Sequence, residues 1–368
     1  MEPLSVWAVA SCGGVIGCAI GYSSRRGRLC TFGALEDAFL ARDFRRLKTL
    51  AVSLALAMLL TQLMIAGGAL ALDSIRYLPI QIPWLSIALG GVLFGFGMAL
   101  VGTCALGSLV RLGSGDLRSF AMILVYALTA LAMLRGSLMP LRLAYLEAIS
   151  IALPGGLQSD LAALASWLTA IDMRLMVTIL IAALLLLWAF SRGELIRAPR
   201  LLAAGIVLGI GAAAAWFATG VLADDLLLTA RPEGLTFVAP VADAVQGFAW
   251  TEASTWSFGV ASVVGVPIGS ALASLRHDEF HWEAYDDQRE MRRHIAGGAI
   301  MGIGGVLAGG CTIGQGITAG SVLALSWPLA VGGMAIGARL GLFLLLEGRP
   351  IIDILWPRWL RKRGDKPT

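Results

Sequence analysis

Two stretches of this chain carry no charge for longer than a membrane is thick. Leu78 to Val110 runs thirty-three residues, and Ile295 to Ala338 forty-four, without an Asp, Glu, Lys or Arg. One helical crossing takes about 20 residues. The first run therefore holds a crossing plus a surplus at membrane depth. The second holds two crossings with almost no aqueous loop between them. Backbone that leaves the helix at that depth must be buried in protein or line a cavity, because lipid cannot satisfy its amides. Composition points the same way: 58% of residues are hydrophobic and 14% charged, against roughly 25% charged in soluble proteins. That balance excludes a secreted disulfide scaffold, a nucleic-acid binder and a cytosolic dinucleotide enzyme. A net charge of +4 is too small to signify a polyanionic partner.

The apolar windows predict an all-α polytopic membrane protein of about nine transmembrane helices, near residues 4–22, 50–72, 82–101, 117–134, 174–191, 201–223, 253–275, 294–309 and 321–346. No basic region precedes the first window, which reads as an uncleaved first span. The mixed segment 137–170, with Arg142, Glu147, Pro154 and Asp160, reads as short interfacial helices outside the membrane. Cytoplasmic loops carry the Lys and Arg. Arg25, Arg26, Arg28, Arg42, Arg45, Arg46 and Lys48 crowd the first loop, whereas the second has Arg76 alone. Odd-numbered loops and the tail hold twenty-two basic residues and even-numbered loops four. The bias sets the N-terminus outside and the C-terminus in the cytoplasm.

Glycine, 45 of 368 residues, is well above its usual ~7%, and its placement repeats. Gly90–Gly107 (GGVLFGFGMALVGTCALG) and Gly297–Gly314 (GGAIMGIGGVLAGGCTIG) agree without gaps at eight of eighteen positions, including Cys104 and Cys311. A weaker pair is Leu29-Cys30-Thr31-Phe32 with Leu235-Thr236-Phe237, aligned on Phe32 and Phe237. The expected organisation is a first membrane repeat at 1–136, an external interfacial segment plus connecting span at 137–200, a second repeat at 201–346 and a basic cytoplasmic tail at 347–368. Four spans and one connector separate equivalent helices, so the second repeat is expected to be inverted, as in many transporters. Helix packing explains Gly91/Gly95 and Gly298/Gly302. It does not explain a Cys at the same place in both halves. Gly102, Gly107, Gly309, Gly310 and Gly314 permit sharp turns, and two re-entrant segments, one from each face, are expected with Cys104 and Cys311 near their tips.

Cys12 and Cys18 read as small hydrophobic filler in the first span. Metal binding would need closely spaced ligands such as C-x-x-C, and none exist; His277, His281 and His294 read as a polar loop. No cofactor is implied, and no Gly-rich ATP-binding loop is present. What remains is three thiols, Cys30, Cys104 and Cys311, in a channel-like double repeat. A thiol, with its large polarizable sulfur, suits a soft sulfur atom better than a hard oxyanion. Half-helix N-termini would help to bind an anion, and Thr103, Thr312, Gln315, Thr318 and Ser321 could add polar contacts. Neutral thiols meet the need for several weak sites along a path, whereas a thiolate would repel an anion. A membrane sulfurtransferase or thiol redox protein using Cys30 covalently is the competing reading. Arg339, within the last span, reads as snorkelling to the surface.

Leu29-Cys30-Thr31-Phe32, the segment Phe94–Gly107 and Gly309-Gly310-Cys311-Thr312-Ile313-Gly314-Gln315-Gly316-Ile317-Thr318 resemble the YeeE/YedE family, the sulphur-transport family of bacterial inner-membrane proteins. The resemblance covers both halves. Thr103 and Thr312 depart from the family pattern, and 137–200 is unmatched. The resemblance implies an hourglass-like inverted-repeat permease for thiosulfate uptake, not an enzyme. It also implies that Cys30, Cys104 and Cys311 line the path and pass the ion through S–H···S hydrogen bonds. A cytoplasmic sulfur-carrier protein is the implied partner.

Overall fold

A computed structural model describes residues 3–153, 156–169, 171–223, 232–249 and 256–347. The chain is helical almost throughout. In the first half the helices are α1 (Pro3–Gly27), α2 (Thr31–Glu36), α3 (Arg45–Ala66), α4 (Trp84–Val101), α5 (Ala105–Gly113) and α6 (Leu117–Leu134). A connecting part holds α7 (Met139–Leu141), α8 (Leu161–Thr169) and α9 (Arg174–Phe190). The second half has α10 (Pro199–Trp216), α11 (Ala239–Ala249), α12 (Phe258–Arg276), α13 (Gln288–Leu307) and α14 (Ser326–Glu347). The only sheet among the described residues is the antiparallel pair β1 (Gln81–Ile82) and β2 (Ile151–Ala152).

Each apolar window falls on a helix. Among the described residues, seven helical segments are long and apolar enough to cross a membrane; α9 is shorter, and α13 opens with a charged turn. The window bounds need correction in places. The helix in 50–72 starts at Arg45 and stops at Ala66, where Gly67 and Gly68 end it. The last helix starts at Ser326, because Ser321–Leu325 forms a tight turn, with Leu323 at φ +58°. Residues 253–255 of the expected spans, and the tail from 348, lie outside the described residues. The interfacial reading of 137–170 missed the β2 strand, which pairs back on the residues just before α4.

Glycines set the packing. On α1, Gly13, Gly17 and Gly21 face the carbonyls of Phe258, Ser262 and Val266; a Cβ at any of them would sit 2.0–2.3 Å from those oxygens. Small residues four apart bring backbones this close and build a stable contact without a hydrophobic driving force. Direction can be read from such pairs. Gly90 meets Leu307 and Ala308, whereas Gly97 meets Gly297 and Met301, so α4 and α13 run antiparallel. Gly27 meets Arg200 and Ala204, whereas Gly211 meets Ile16 and Ile20, so α1 and α10 also run antiparallel. In contrast, α1 and α12 run parallel, as do α3 and α10, where Gly205 and Gly209 meet Thr49 and Ser53. The broken ends of α4 and α13 thus point to opposite ends of the bundle. One continuous buried core, including Phe94, Met98, Tyr126, Phe237 and Met301, joins them.

Candidate functional site

Helix α4 ends because Gly102 takes a left-handed conformation (φ +76°), its N–H closing on the Met98 carbonyl at 2.8 Å. The chain then turns and Cys104 becomes the N-cap of α5. Its backbone is extended and its Sγ accepts from the Gly107 N–H at 3.3 Å. A thiol here fills the place that Ser, Thr, Asp or Asn usually takes. Cys30 caps α2 from the other side, also with extended backbone. Its Sγ lies 3.7 Å from the Cys104 Sγ and 3.5 Å from the Thr103 Oγ1. That spacing is hydrogen-bonding distance for sulfur, far from the ~2.05 Å of a disulfide, and all five cysteines are free. Gly107 makes the room. A Cβ there would stand 2.3 Å from Thr103 Oγ1, 3.1 Å from Cys30 Sγ and 3.5 Å from Cys104 Sγ.

The same construction recurs at the other break. Gly309 has φ +74°, and the Cys311 Sγ accepts from the Gly314 N–H at 3.4 Å. A Cβ on Gly314 would sit 2.6 Å from Thr236 Oγ1 and 3.2 Å from Tyr77 Oη. Thr236 occupies the place that Cys30 has in the first cluster. Each follows a fully packed leucine, Leu29 or Leu235, so the match in space pairs Cys30 with Thr236 and not Phe32 with Phe237. The two clusters differ in one respect. Cys30, Thr103 and Cys104 bond one another, whereas the hydroxyl oxygen of Thr312 is buried with no hydrogen-bond partner among the described residues. A buried hydroxyl left without a partner costs about 1–3 kcal/mol, a cost that a bound acceptor would remove.

The structure brings Cys30, Cys104 and Thr103 together and sets Cys311 and Thr312 in a second cluster beyond the core. Tyr126, wholly buried in that core, donates to the Phe237 carbonyl at 2.7 Å. Four short segments meet at the breaks: α2 and α5 at one, and at the other the stretch 232–238 leading to α11 together with a π-helical turn, Gly314–Ala319. Gln315 and Thr318 hold this frame. The Gln315 amide donates to the Ala308 carbonyl at 2.7 Å and accepts from Ser326 at 3.2 Å. Thr318 donates to the Leu235 carbonyl at 2.6 Å, and Gly310 packs against Gln315. Ser321 bonds Trp216 and the Thr318 carbonyl.

A cavity of about 250 Å³ opens beside the first cluster, at Gly102 and Thr103, and is lined by Arg111, Arg118, Arg293 and His294 with Asp116 and Glu290. Arg118 is occupied by Asp116, Glu283 and Glu290; Arg293 has no carboxylate partner among the described residues. Arg25 is tied to Glu279 at 3.3 Å, so it braces the 277–287 loop. Arg339 packs over the Phe39 ring at 5.9 Å. His281 pairs with Glu283 and His294 approaches Glu290. No group of three potential metal ligands occurs among the described residues.

Sequence reasoning alone does not single out Tyr77 or Tyr126, which lack a repeat partner, nor the guanidinium-lined cavity. Thr236 did carry a signal, in the Leu-Thr-Phe echo of Leu29–Phe32.

A family model described as sulphur transport matches residues 26–340. The chain belongs to the sulphur transport family. Two relatives bear the name thiosulfate transporter TsuA. That of Escherichia coli (strain K12) is 26% identical over 82% of this chain and 85% of its own length. That of Spirochaeta thermophila is 29% identical over 86% of this chain and 93% of its own. The family is one of transport, so this member is a multi-pass membrane transporter and not a sulfurtransferase or redox enzyme.

Proposed function

We propose that this protein is a permease for thiosulfate uptake through the bacterial inner membrane, working by neutral thiols and hydroxyls at two broken-helix clusters. The observation that carries this reading is the paired Cys-x-x-Gly cap, with each thiol sunk in the core and polar side chains closing in where the glycine has no Cβ. A charge at mid-membrane costs several kcal/mol at least, so the route must replace water with donors. Thiosulfate presents two faces, a soft terminal sulfur and three sulfonate oxygens. The first suits an S–H donor, the second the hydroxyls of Thr236 and Thr312.

On this account the ion first meets Tyr77, Thr236 and Cys311, is passed through the core around Tyr126, and then reaches Cys104, Thr103 and Cys30. The arginine-lined cavity at Arg111 and Arg293 receives it. The packed core between the clusters corresponds to an occluded state, which must open for passage. The halves 1–136 and 201–346 are read as an inverted repeat around the connector 137–200, which the antiparallel α4/α13 and α1/α10 pairs support. The basic-residue bias supports an outside N-terminus and a cytoplasmic C-terminus, with 347–368 as a basic tail. A cytoplasmic sulfur-carrier protein is the proposed recipient. The test is uptake of labelled thiosulfate by proteoliposomes of the purified protein, against a panel of sulfur oxyanions. Saturable uptake competed by thiosulfate but not by sulfate is expected; entry no faster than into empty liposomes would refute the proposal.

A further inference from the structure

A second cavity lies away from both clusters, where α3 begins and α9 ends. It measures about 650 Å³ and is lined by Arg42, Arg45, Lys48, Arg192 and Arg197, with Asp43, Glu194 and Trp188. Both acids are already taken. The Arg45 fork grips Asp43 through three contacts of 2.7–3.1 Å. Lys48, only 3% exposed, places its ammonium 3.1 Å from Glu194. Arg42, Arg192 and Arg197 have no carboxylate partner among the described residues, so three guanidiniums are left over around one concave site. Arg42 is held at φ +54°, a conformation uncommon outside glycine.

Helix α9 continues from this cavity as a peripheral helix. It buries Thr178, Ala182 and Ala189, while Leu180, Leu184, Leu187 and Trp188 stand outward on the apolar surface. The cavity therefore joins a cluster of uncompensated arginines to an apolar strip running into the membrane. A soluble anion would use only the first element and an acyl chain only the second. Arginine forks match phosphate oxygens bidentately, Trp sits at headgroup level, and basic pockets between membrane helices hold acidic headgroups.

We propose that this cavity is a binding site for one anionic phospholipid, its phosphate on Arg42, Arg192 and Arg197 and its acyl chains along α9. None of these residues belongs to either thiol or hydroxyl cluster, so the site stands or falls independently of the transport reading.

The test is native mass spectrometry of the full-length protein released from nanodiscs of equal phosphatidylglycerol and phosphatidylcholine. One retained phosphatidylglycerol per chain is expected. The double variant Arg192→Gln/Arg197→Gln should lower that retention about tenfold, whereas Arg289→Gln/Arg292→Gln, which removes the same charge from an exposed stretch of α13, should leave it unchanged. If the first variant does not fold, Arg42→Gln alone should lower retention in the same direction. Added inorganic phosphate should not displace the lipid. Equal retention of the two lipids, an equal loss in both double variants, or displacement by inorganic phosphate as effective as by phosphatidylglycerol would each overturn the proposal.

Discussion

Gly107→Ala places one methyl group at the centre of the first cluster. Its Cβ would fall 2.3 Å from Thr103 Oγ1 and 3.1 Å from Cys30 Sγ, both well inside contact distance. Neither neighbour can give freely, since Thr103 sits in the turn fixed by Gly102 and Cys30 caps α2. Overpacking of this kind costs about 1–3 kcal/mol. The methyl group also narrows the space beside the thiols; if it opposes passage of the ion by a like amount, transport falls by about 5- to 150-fold, at 1.36 kcal/mol per tenfold. Gly102→Ala is the control. Its Cβ meets no atom within 4 Å, but its left-handed backbone costs a non-glycine residue roughly 1–2 kcal/mol. The two variants should therefore lose similar thermal stability in detergent, while only Gly107→Ala loses most of its uptake in proteoliposomes. Wild-type uptake by a folded Gly107→Ala protein would refute the reasoning, because a cluster on the path cannot absorb a methyl group without consequence.

Thr312→Val keeps the shape and removes the orphaned hydroxyl; it is expected to raise the thiosulfate concentration for half-maximal uptake several-fold, at little or no cost in thermal stability, since no bond is lost. Tyr126→Phe leaves the buried Phe237 carbonyl without its donor and should lower stability by about 1–3 kcal/mol, seen as a lower unfolding midpoint. Asp160→Ala strips the buried partner from Arg174 and the cap from α8, a loss of about 3–5 kcal/mol for a broken buried pair, and the same assay checks it. The Glu283 carboxylate beside exposed His281 raises the imidazole pKa. Stability from this pair is present below the imidazole's ordinary value near 6.5 and is lost as pH rises through the higher folded value. The difference in unfolding midpoint between wild type and His281→Gln should thus be seen at pH 6 and vanish at pH 9.

Much of this architecture was legible because a membrane allows few solutions. Charge-free length located the helices, and the surplus after Val101 and before Ser326 located the breaks. The thiols were legible because they recur in both halves. The partnership of Cys30 with Cys104 was hidden, since seventy-four positions separate them and only the turn at α2 brings them to 3.7 Å. Thr236 was obscured for a chemical reason: a hydroxyl replaces a thiol at the same place, and a reading keyed to sulfur passes over it. Gln315 and Thr318 have work in the frame itself. Polar residues in a broken helix look like ligands, yet the exposed carbonyls of Ala308 and Leu235 need donors first, and these side chains supply them. The phospholipid cavity was beyond sequence reading, because Arg42 and Arg192 meet only through the packing of α3 against α9.

The central claim is that thiosulfate passes along the thiols of Cys104 and Cys311. The most direct measurement is the initial rate of labelled thiosulfate uptake by proteoliposomes carrying Cys104→Ala or Cys311→Ala, with folding checked by thermal unfolding. Each is predicted to lose at least about tenfold in rate, the equivalent of one charge-assisted hydrogen bond of roughly 1.5–3 kcal/mol. Full transport by both folded variants would contradict the account.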